Sequence, residues 1–456
     1  MFWKKLESSN CCEKTFYSTP VPSFFAKTSS DSMIHEISDS IRNHDDGDFL
    51  YPCYEENCIS NIPGTLLGFF GVNSNLTKLS VVGNEVEAEK VVILVLDGLG
   101  YNQFLRYYRN NEFLGKLAEE SDVFPLTSVF PSQTTNALTT LNTGLTPQEH
   151  GLFEYYLYLK EVDMIVNTLR FEPLGSKRRN ELVEKGFSPD ILFKGKNIQT
   201  TLKEADIKSF THIYSAYAYS ANASLLFKNS TLVPSLRSSD LTVTLRKNLE
   251  KQTGPSYFFV HFSTLDMISH EYGPTSDEYS TELSVISYLL NKELIEKIDP
   301  KTAKETLIVT TADHGGVNVV PEETTFLDMF PDVIANLQYG KSGQHILPTG
   351  SHRDLFLHVK EEKLAETKEL LSERIGAKAQ IVEIKEAINS GLFGLGDVSS
   401  QFLERAGNLL ILPYGNETVW FNHFKDFRYN PIGQHGGLSK DEMLVPFTVS
   451  RLSDLK

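Results

Sequence analysis

Apolar residues along this chain fall into two rhythms. Unbroken aliphatic or aromatic runs occur in "KVVILVLDGLG" (90–100), "SYFFVHF" (256–262) and "ETLIVTT" (305–311). A run without polar alternation reads as a strand covered on both faces, as in a parallel sheet. Between the runs, residues 238–251 and 276–297 carry apolar positions at helical spacing. Strands alternating with helices predict doubly wound α/β layers, in which ligands collect beyond the carboxyl ends of the strands.

The flanking segments are patterned differently. In "NIPGTLLGFFG" Pro63 stands near a helix start and Gly71 just after the apolar stripe, so the compact fold is expected to begin near Phe49. Residues 152–171 read as two strands joined by a turn near Lys160. From Asp354 to about Trp420 a second pattern appears: strand "DLFLHV", helix "EEKLAETKELLSERI", strand "AQIVEI" and strand "NLLILPY". The expected organisation is an extension over 1–47, a catalytic core over 48–345 and 425–456, and an inserted α/β lid over 346–424. The extension is rich in Ser and charge, with one amphipathic possibility at Met33, Ile34, Ile37 and Ile41.

Composition narrows the function. With 456 residues and 40% hydrophobic content the chain can bury a large core. A formal net charge of -16 argues against general nucleic-acid binding, which needs Lys/Arg surfaces. The four cysteines, Cys11, Cys12, Cys53 and Cys58, are too few and too clustered for a disulfide framework. Cys53 and Cys58 lack a matching His or Cys pair and read as ordinary buried thiols rather than a metal site. The start "MFWKKLESSNCCEKTF" lacks a signal-like apolar stretch and no run of 18 apolar residues occurs, so no membrane span and a cytoplasmic location are expected.

Candidate chemistry sits in separate stretches. Asp97 ends the first buried run and is followed by Gly98 and Gly100, although a lone Asp-Gly is more often a cap or turn. In "FPSQTTNALTTLNTG" a helix is expected from about Thr134 to Thr143, stopped by Gly144, with Thr134 at or next to the N-cap. A hydroxyl there can act as a nucleophile beside a phosphate held by the helix N-terminus, or can simply cap the helix. In "LDMISHEYGP" Asp266 and His270 are four apart, hence on one helical face, where they can share a metal or form a surface ion pair. Asp313 and His314 follow the third run in "TADHGG", and His435 lies before glycines in "QHGG". His150 reads as structural or as support for a site, and His352 and His423 as surface or packing residues.

The order of these stretches resembles the alkaline phosphatase superfamily, most closely its type I phosphodiesterase/nucleotide pyrophosphatase family. "TTLNTGLTPQEHG" is similar to that family's T-L-x-T-G-x-x-P-x-x-H-G, "LDMISHEYGP" to its D-x3-H-x-x-G-P, and "TADHGG" to its D-H-G-M. The resemblance spans about Phe49 to Phe447, and "NIPGTLLGFFG" and "YLYLKEVDMIVNTLRF" look more like the shorter prokaryotic members. It implies an alkaline-phosphatase-like three-layer sandwich with a mostly parallel central sheet and a smaller inserted α/β lid. It also implies two divalent ions, Zn²⁺ or alternatively Mn²⁺, with Asp97, Thr134, Asp313 and His314 around one and Asp266, His270 and His435 around the other. Thr134 would be the nucleophile and would pass through a phosphorylated intermediate to hydrolyse a small phosphate ester.

"TTNAL" departs from the T-F-P-N of animal nucleotide pyrophosphatases, so no nucleotide contacts carry over. The competing readings are a phosphomonoesterase or phosphotransferase of the same superfamily, or a non-catalytic metal- or phosphate-binding relative. Monoesterases hold a dianion with an arginine near the nucleophile. Arg106 and Arg109 read as solvated helix residues, leaving Arg170, Arg178, Arg179 and Arg353 to approach from elsewhere. A diester is therefore the expected substrate.

Overall fold

A computed structural model describes residues 40–83, 86–424 and 431–456. The possible amphipathic stretch at Met33, Ile34 and Ile37 lies outside the described residues, as do Cys11 and Cys12, whereas Ile41 is buried in the main core.

The apolar runs form the centre of a seven-stranded sheet. Its strands in chain order are β1 (Lys90–Leu96), β2 (Phe124–Thr127), β3 (Lys208–Tyr214), β4 (Thr231–Ser235), β5 (Ser256–Phe262), β6 (Thr306–Thr311) and β7 (Leu444–Arg451). They lie side by side as β2-β7-β6-β1-β5-β3-β4. β1 pairs in parallel with β5 and β6, and β3 with β4 and β5, while β7 runs antiparallel between β6 and β2. Every residue of β1, β5 and β6 is buried, which explains why these runs never alternate with polar residues. This is the doubly wound α/β layering that the patterning predicts, with the mostly parallel central sheet that the resemblance implies.

The expected helices form over Ser238–Lys251 and Asp277–Leu289, and the hairpin near Lys160 over Tyr156–Leu159 and Met164–Asn167. A separate antiparallel sheet orders Thr349–Gly350, Leu355–Leu357, Leu409–Pro413 and Ala379–Glu383 as neighbours. It has its own apolar cluster, in which Leu355, Leu357, Leu409 and Ile411 pack with Leu371 and Ile375 and with the earlier Leu327, Val333 and Leu337. Cys53 and Cys58 are buried free thiols, and burial raises the pKa of both. Among the described residues, no helix is long and apolar enough to cross a membrane.

Candidate active site

The carboxyl ends of β1, β5 and β6 bring three aspartates together. β1 stops at Leu96, and the Asp97 amide still donates to Phe262 O at 3.1 Å. Gly98 then turns with φ 76°, and a Cβ on it would lie 3.1 Å from Asp266 Cβ, so glycine is what lets the two aspartates approach. Beyond β6, Asp313 Oδ1 accepts the amides of Gly98 at 3.2 Å and His314 at 3.0 Å, leaving Oδ2 3.3 Å from His314 Nε2. The helix after β5 spans Thr264–Tyr272 and stacks Asp266 and His270 one turn apart, with Oδ2 and Nε2 separated by 3.3 Å.

Thr134 faces this cluster from the other side. It is the first residue of α1 (Thr134–Thr143), whose N-cap Gln133 provides no side-chain cap and whose end is set by Gly144 at φ 73°. Every other residue of α1 is buried, whereas Thr134 is half-buried and opens to the cavity. Its Oγ lies 3.1 Å from His314 Nε2.

The histidine tautomers are fixed by backbone carbonyls. Nδ1 of His270 meets Gly433 O at 2.9 Å, Nδ1 of His314 meets Gly315 O at 2.8 Å, and Nδ1 of His435 meets Ser132 O at 2.9 Å. A carbonyl oxygen only accepts, so each Nδ1 carries the proton and each neutral ring turns an Nε2 lone pair inward. The Nε2 atoms of His270 and His435 are only 3.2 Å apart, an arrangement of two lone pairs that needs a cation or a proton between them. Asp97 Oδ1 and Asp313 Oδ2 are likewise buried without a hydrogen-bond partner.

The electrostatics express the same deficit. Burial pushes Asp97 well above the usual carboxylate range, and neighbouring Asp313 and Asp266 add to it. Burial also raises Asp313, against the opposing effect of His261. For Asp266 burial acts upward, but His270 and His435 outweigh it and hold the carboxyl low. Burial lowers His435 to about 3, whereas the pull of burial on His270 is overcome by Asp266, which brings it to about 9. At about 9 His270 would take up a second ring proton on Nε2 and point it at the His435 lone pair, and a divalent cation between the two neutral rings would stand in place of that proton. The ligand atoms of Asp266, His270 and His435 lie within 4.8 Å of one another, as do those of Asp97, Asp266 and His314. Mixed carboxylate and imidazole donors suit a transition-metal ion.

The profile of the Type I phosphodiesterase / nucleotide pyrophosphatase family matches residues 91–438, from β1 past His435. The chain belongs to this family. It is 25% identical over 254 residues to an uncharacterized pyrophosphatase/phosphodiesterase of Schizosaccharomyces pombe, covering 54% of this chain and 48% of that protein. It is 22% identical over 232 residues to a venom phosphodiesterase of Crotalus durissus collilineatus, covering 50% of this chain and 26% of that protein. The matches thus span about half or less of these relatives' lengths. The structure of murine ectonucleotide pyrophosphatase / phosphodiesterase 5 superposes with a TM-score of 0.56 at 16% identity, covering 79% of this chain and 87% of that one. An inactive variant of the murine protein in complex with AMP gives a TM-score of 0.58 at the same coverage and identity.

In this family member a cavity of about 450 Å³ opens beside Thr134 and the aspartates. His352 and His423, read as surface or packing residues, pack in its wall. His352 is buried and stacks on Trp420 with ring centroids 4.5 Å apart, and His423 donates through Nε2 to Pro348 O at 2.9 Å. His150 has the structural role expected, with Nε2 3.2 Å from Thr140 Oγ and Nδ1 accepting from the Leu152 amide at 3.0 Å. His261 was not singled out from the sequence. It is buried at the end of β5 in register with Val95, with Nε2 2.9 Å from Asp97 Oδ2 but not aligned as a hydrogen bond. The available signal was a single imidazole inside the otherwise apolar run "SYFFVHF". Arg353, a candidate for approaching the substrate, instead turns into the protein and pairs with Glu442 at 2.9 Å. Arg170 pairs with Glu172 and Arg178 with Glu184. Among the described residues, no Arg or Lys lines the cavity.

Proposed function

We propose that this protein hydrolyses phosphodiesters through a phosphorylated Thr134, with two divalent ions, Zn²⁺ or Mn²⁺, held by Asp97, Thr134, Asp313 and His314 and by Asp266, His270 and His435. The observation that carries this reading is the convergence of three carbonyl-oriented Nε2 lone pairs and three buried carboxylates on the hydroxyl of Thr134. Such ions, when bound, supply Lewis acidity that lowers the pKa of the threonine hydroxyl and offsets charge on the leaving oxygen.

The chain's own residues set the geometry. The uncapped first turn of α1 presents backbone N–H groups and the positive end of the helix to the phosphoryl oxygens. Thr134 Oγ loses its proton to solvent and forms the new bond to phosphorus while the bond to the leaving oxygen breaks, and that oxygen takes a proton from solvent. Water then attacks phosphorus from the vacated side and loses a proton to solvent, the phosphorus bond to Thr134 breaks, Oγ takes up a proton, and a phosphate monoester departs. Two in-line displacements give net retention at phosphorus. The absence of Arg and Lys from the described lining supports a monoanionic diester over a dianionic monoester. Residues 346–424 serve as a lid in this reading, contributing His352, Trp420 and His423 to the cavity.

The test is Thr134→Ala beside Thr135→Ala. Thr135 is buried in the same helix and points elsewhere in the fold, so its loss should be mild. Thr134→Ala should lower kcat by about three orders of magnitude or more while metal content and unfolding midpoint stay unchanged. Wild-type activity in Thr134→Ala would reject the assignment.

A further inference from the structure

Resting on that reading, we infer that the ester group retained on phosphorus is a hydrophobic chain or ring, and that the protein selects phosphodiesters by this apolar arm rather than by a nucleoside. The argument begins on α1. Leu138 is one helical turn after Thr134 and therefore lies on the same face, so an arm attached to the phosphorus beside Thr134 passes directly over it. From there the lining continues through Leu169 and Leu174, which follow the hairpin strand Met164–Asn167, Ile213 near the end of β3, and Leu226 and Phe227 at the end of helix Ala221–Leu226. Four elements thus supply aliphatic or aromatic side chains to the lining of one cavity.

The polar atoms are distributed unevenly around this cavity. Of the buried lining atoms without a hydrogen-bond partner, Asp97 Oδ1, His261 Nε2, Ser263 Oγ and Gln434 Nε2 belong to the segments that carry the aspartates and histidines. Others are Glu154 Oε1, just ahead of the hairpin, and Asn222 Oδ1 on helix Ala221–Leu226, two single buried acceptors that can each serve one hydroxyl. A nucleobase brings several ring and exocyclic hydrogen-bonding groups, and desolvating them against aliphatic carbon leaves them unsatisfied. An alkyl or aryl arm loses nothing by entering and gains with each carbon that leaves water. A cavity of about 450 Å³ is in the range that accommodates such an arm.

The experiment compares p-nitrophenyl methyl phosphate, p-nitrophenyl hexyl phosphate and the p-nitrophenyl ester of thymidine 5'-phosphate, which share one leaving group, on the Zn²⁺- or Mn²⁺-loaded full chain. At a gain of up to about fourfold per buried methylene, kcat/KM for the hexyl ester should exceed that for the methyl ester by at least roughly thirtyfold. It should also exceed that for the thymidine ester by at least about tenfold. Leu174→Gln and Leu169→Gln, at half-buried positions on the wall, should each reduce the hexyl-to-methyl ratio at least about fivefold. Equal rates on the hexyl and methyl esters, or preference for the thymidine ester, overturns the inference and leaves phosphodiester hydrolysis standing. Failure to hydrolyse any of the three overturns both. A hexyl preference unchanged in both variants places the arm elsewhere and overturns the assigned wall.

Discussion

Glu442→Gln should destabilise this protein far more than its near-isosteric shape suggests. Glu442 and Arg353 are both fully buried, and Arg353 donates to the carboxylate through Nε at 3.0 Å and through Nη2 at 2.9 Å. The same carboxylate accepts the amides of Gly437 at 2.9 Å and Ser439 at 3.2 Å, and thereby ties down the turn that follows His435. Burial alone would raise the Glu442 pKa, yet the Arg353 guanidinium overrides it and holds the carboxyl low, so the pair is ionic. A glutamine keeps the volume but removes the charge and turns an N–H₂ toward a guanidinium or an amide, leaving a buried cation without a counter-ion. That loss is typically about 3–5 kcal/mol. Replacing both partners, as in Arg353→Met with Glu442→Leu, should recover much of it, because no isolated charge remains. Urea denaturation of wild type, both single variants and the double variant measures the coupling, and metal titration of Glu442→Gln should show weaker binding through the displaced His435. A stability loss below about 1 kcal/mol in Glu442→Gln would refute the view that this ion pair anchors the turn.

Three further outcomes follow from the site and its surroundings. Protein reconstituted with Zn²⁺ or Mn²⁺ should contain about two equivalents of metal and lose activity on chelation, and elemental analysis returning near zero after reconstitution contradicts the two-ion reading. With one leaving group and one metal, kcat/KM for diesters should exceed that for monoesters by at least roughly tenfold, a difference of ~1.4 kcal/mol in transition-state stabilisation, and a monoester preference overturns it. Burial lowers His358 to about 4, so the unfolded chain binds the extra proton between about pH 6.5 and 4; the contribution is intact above that window and is lost as pH falls through it. His358→Gln should therefore reduce the stability lost between pH 7 and 4.5 by about 2 kcal/mol, and an unchanged acid slope in urea titrations at those two pH values rejects the effect.

What was legible in the sequence depended on whether a residue's environment is set locally. Asp97 and Asp313 could be read because each ends an unbroken apolar run, and such a run fixes a buried parallel strand whose carboxyl end faces the ligand side. Asp266 and His270 could be read because one helical turn determines their proximity, and Thr134 because Gly144 marks the other end of its helix. His352 could not, since its burial depends on a stacking partner, Trp420, 68 positions later, that only tertiary packing brings to it. Arg353 is the sharper case. The sequence shows a cation next to a histidine, and nothing nearby says that its counter-ion is Glu442, which stands just ahead of β7. Its chemistry suits a phosphate as well as a carboxylate, and the choice is made by tertiary topology: β7 inserts antiparallel between β6 and β2 and carries the Glu442 turn under the His435 loop. A guanidinium held by a buried carboxylate and by the carbonyls of Gly415 and Glu417, and absent from the cavity lining, is turned away from the substrate. The position that seemed able to favour a dianion instead braces, through Glu442, the turn that follows His435.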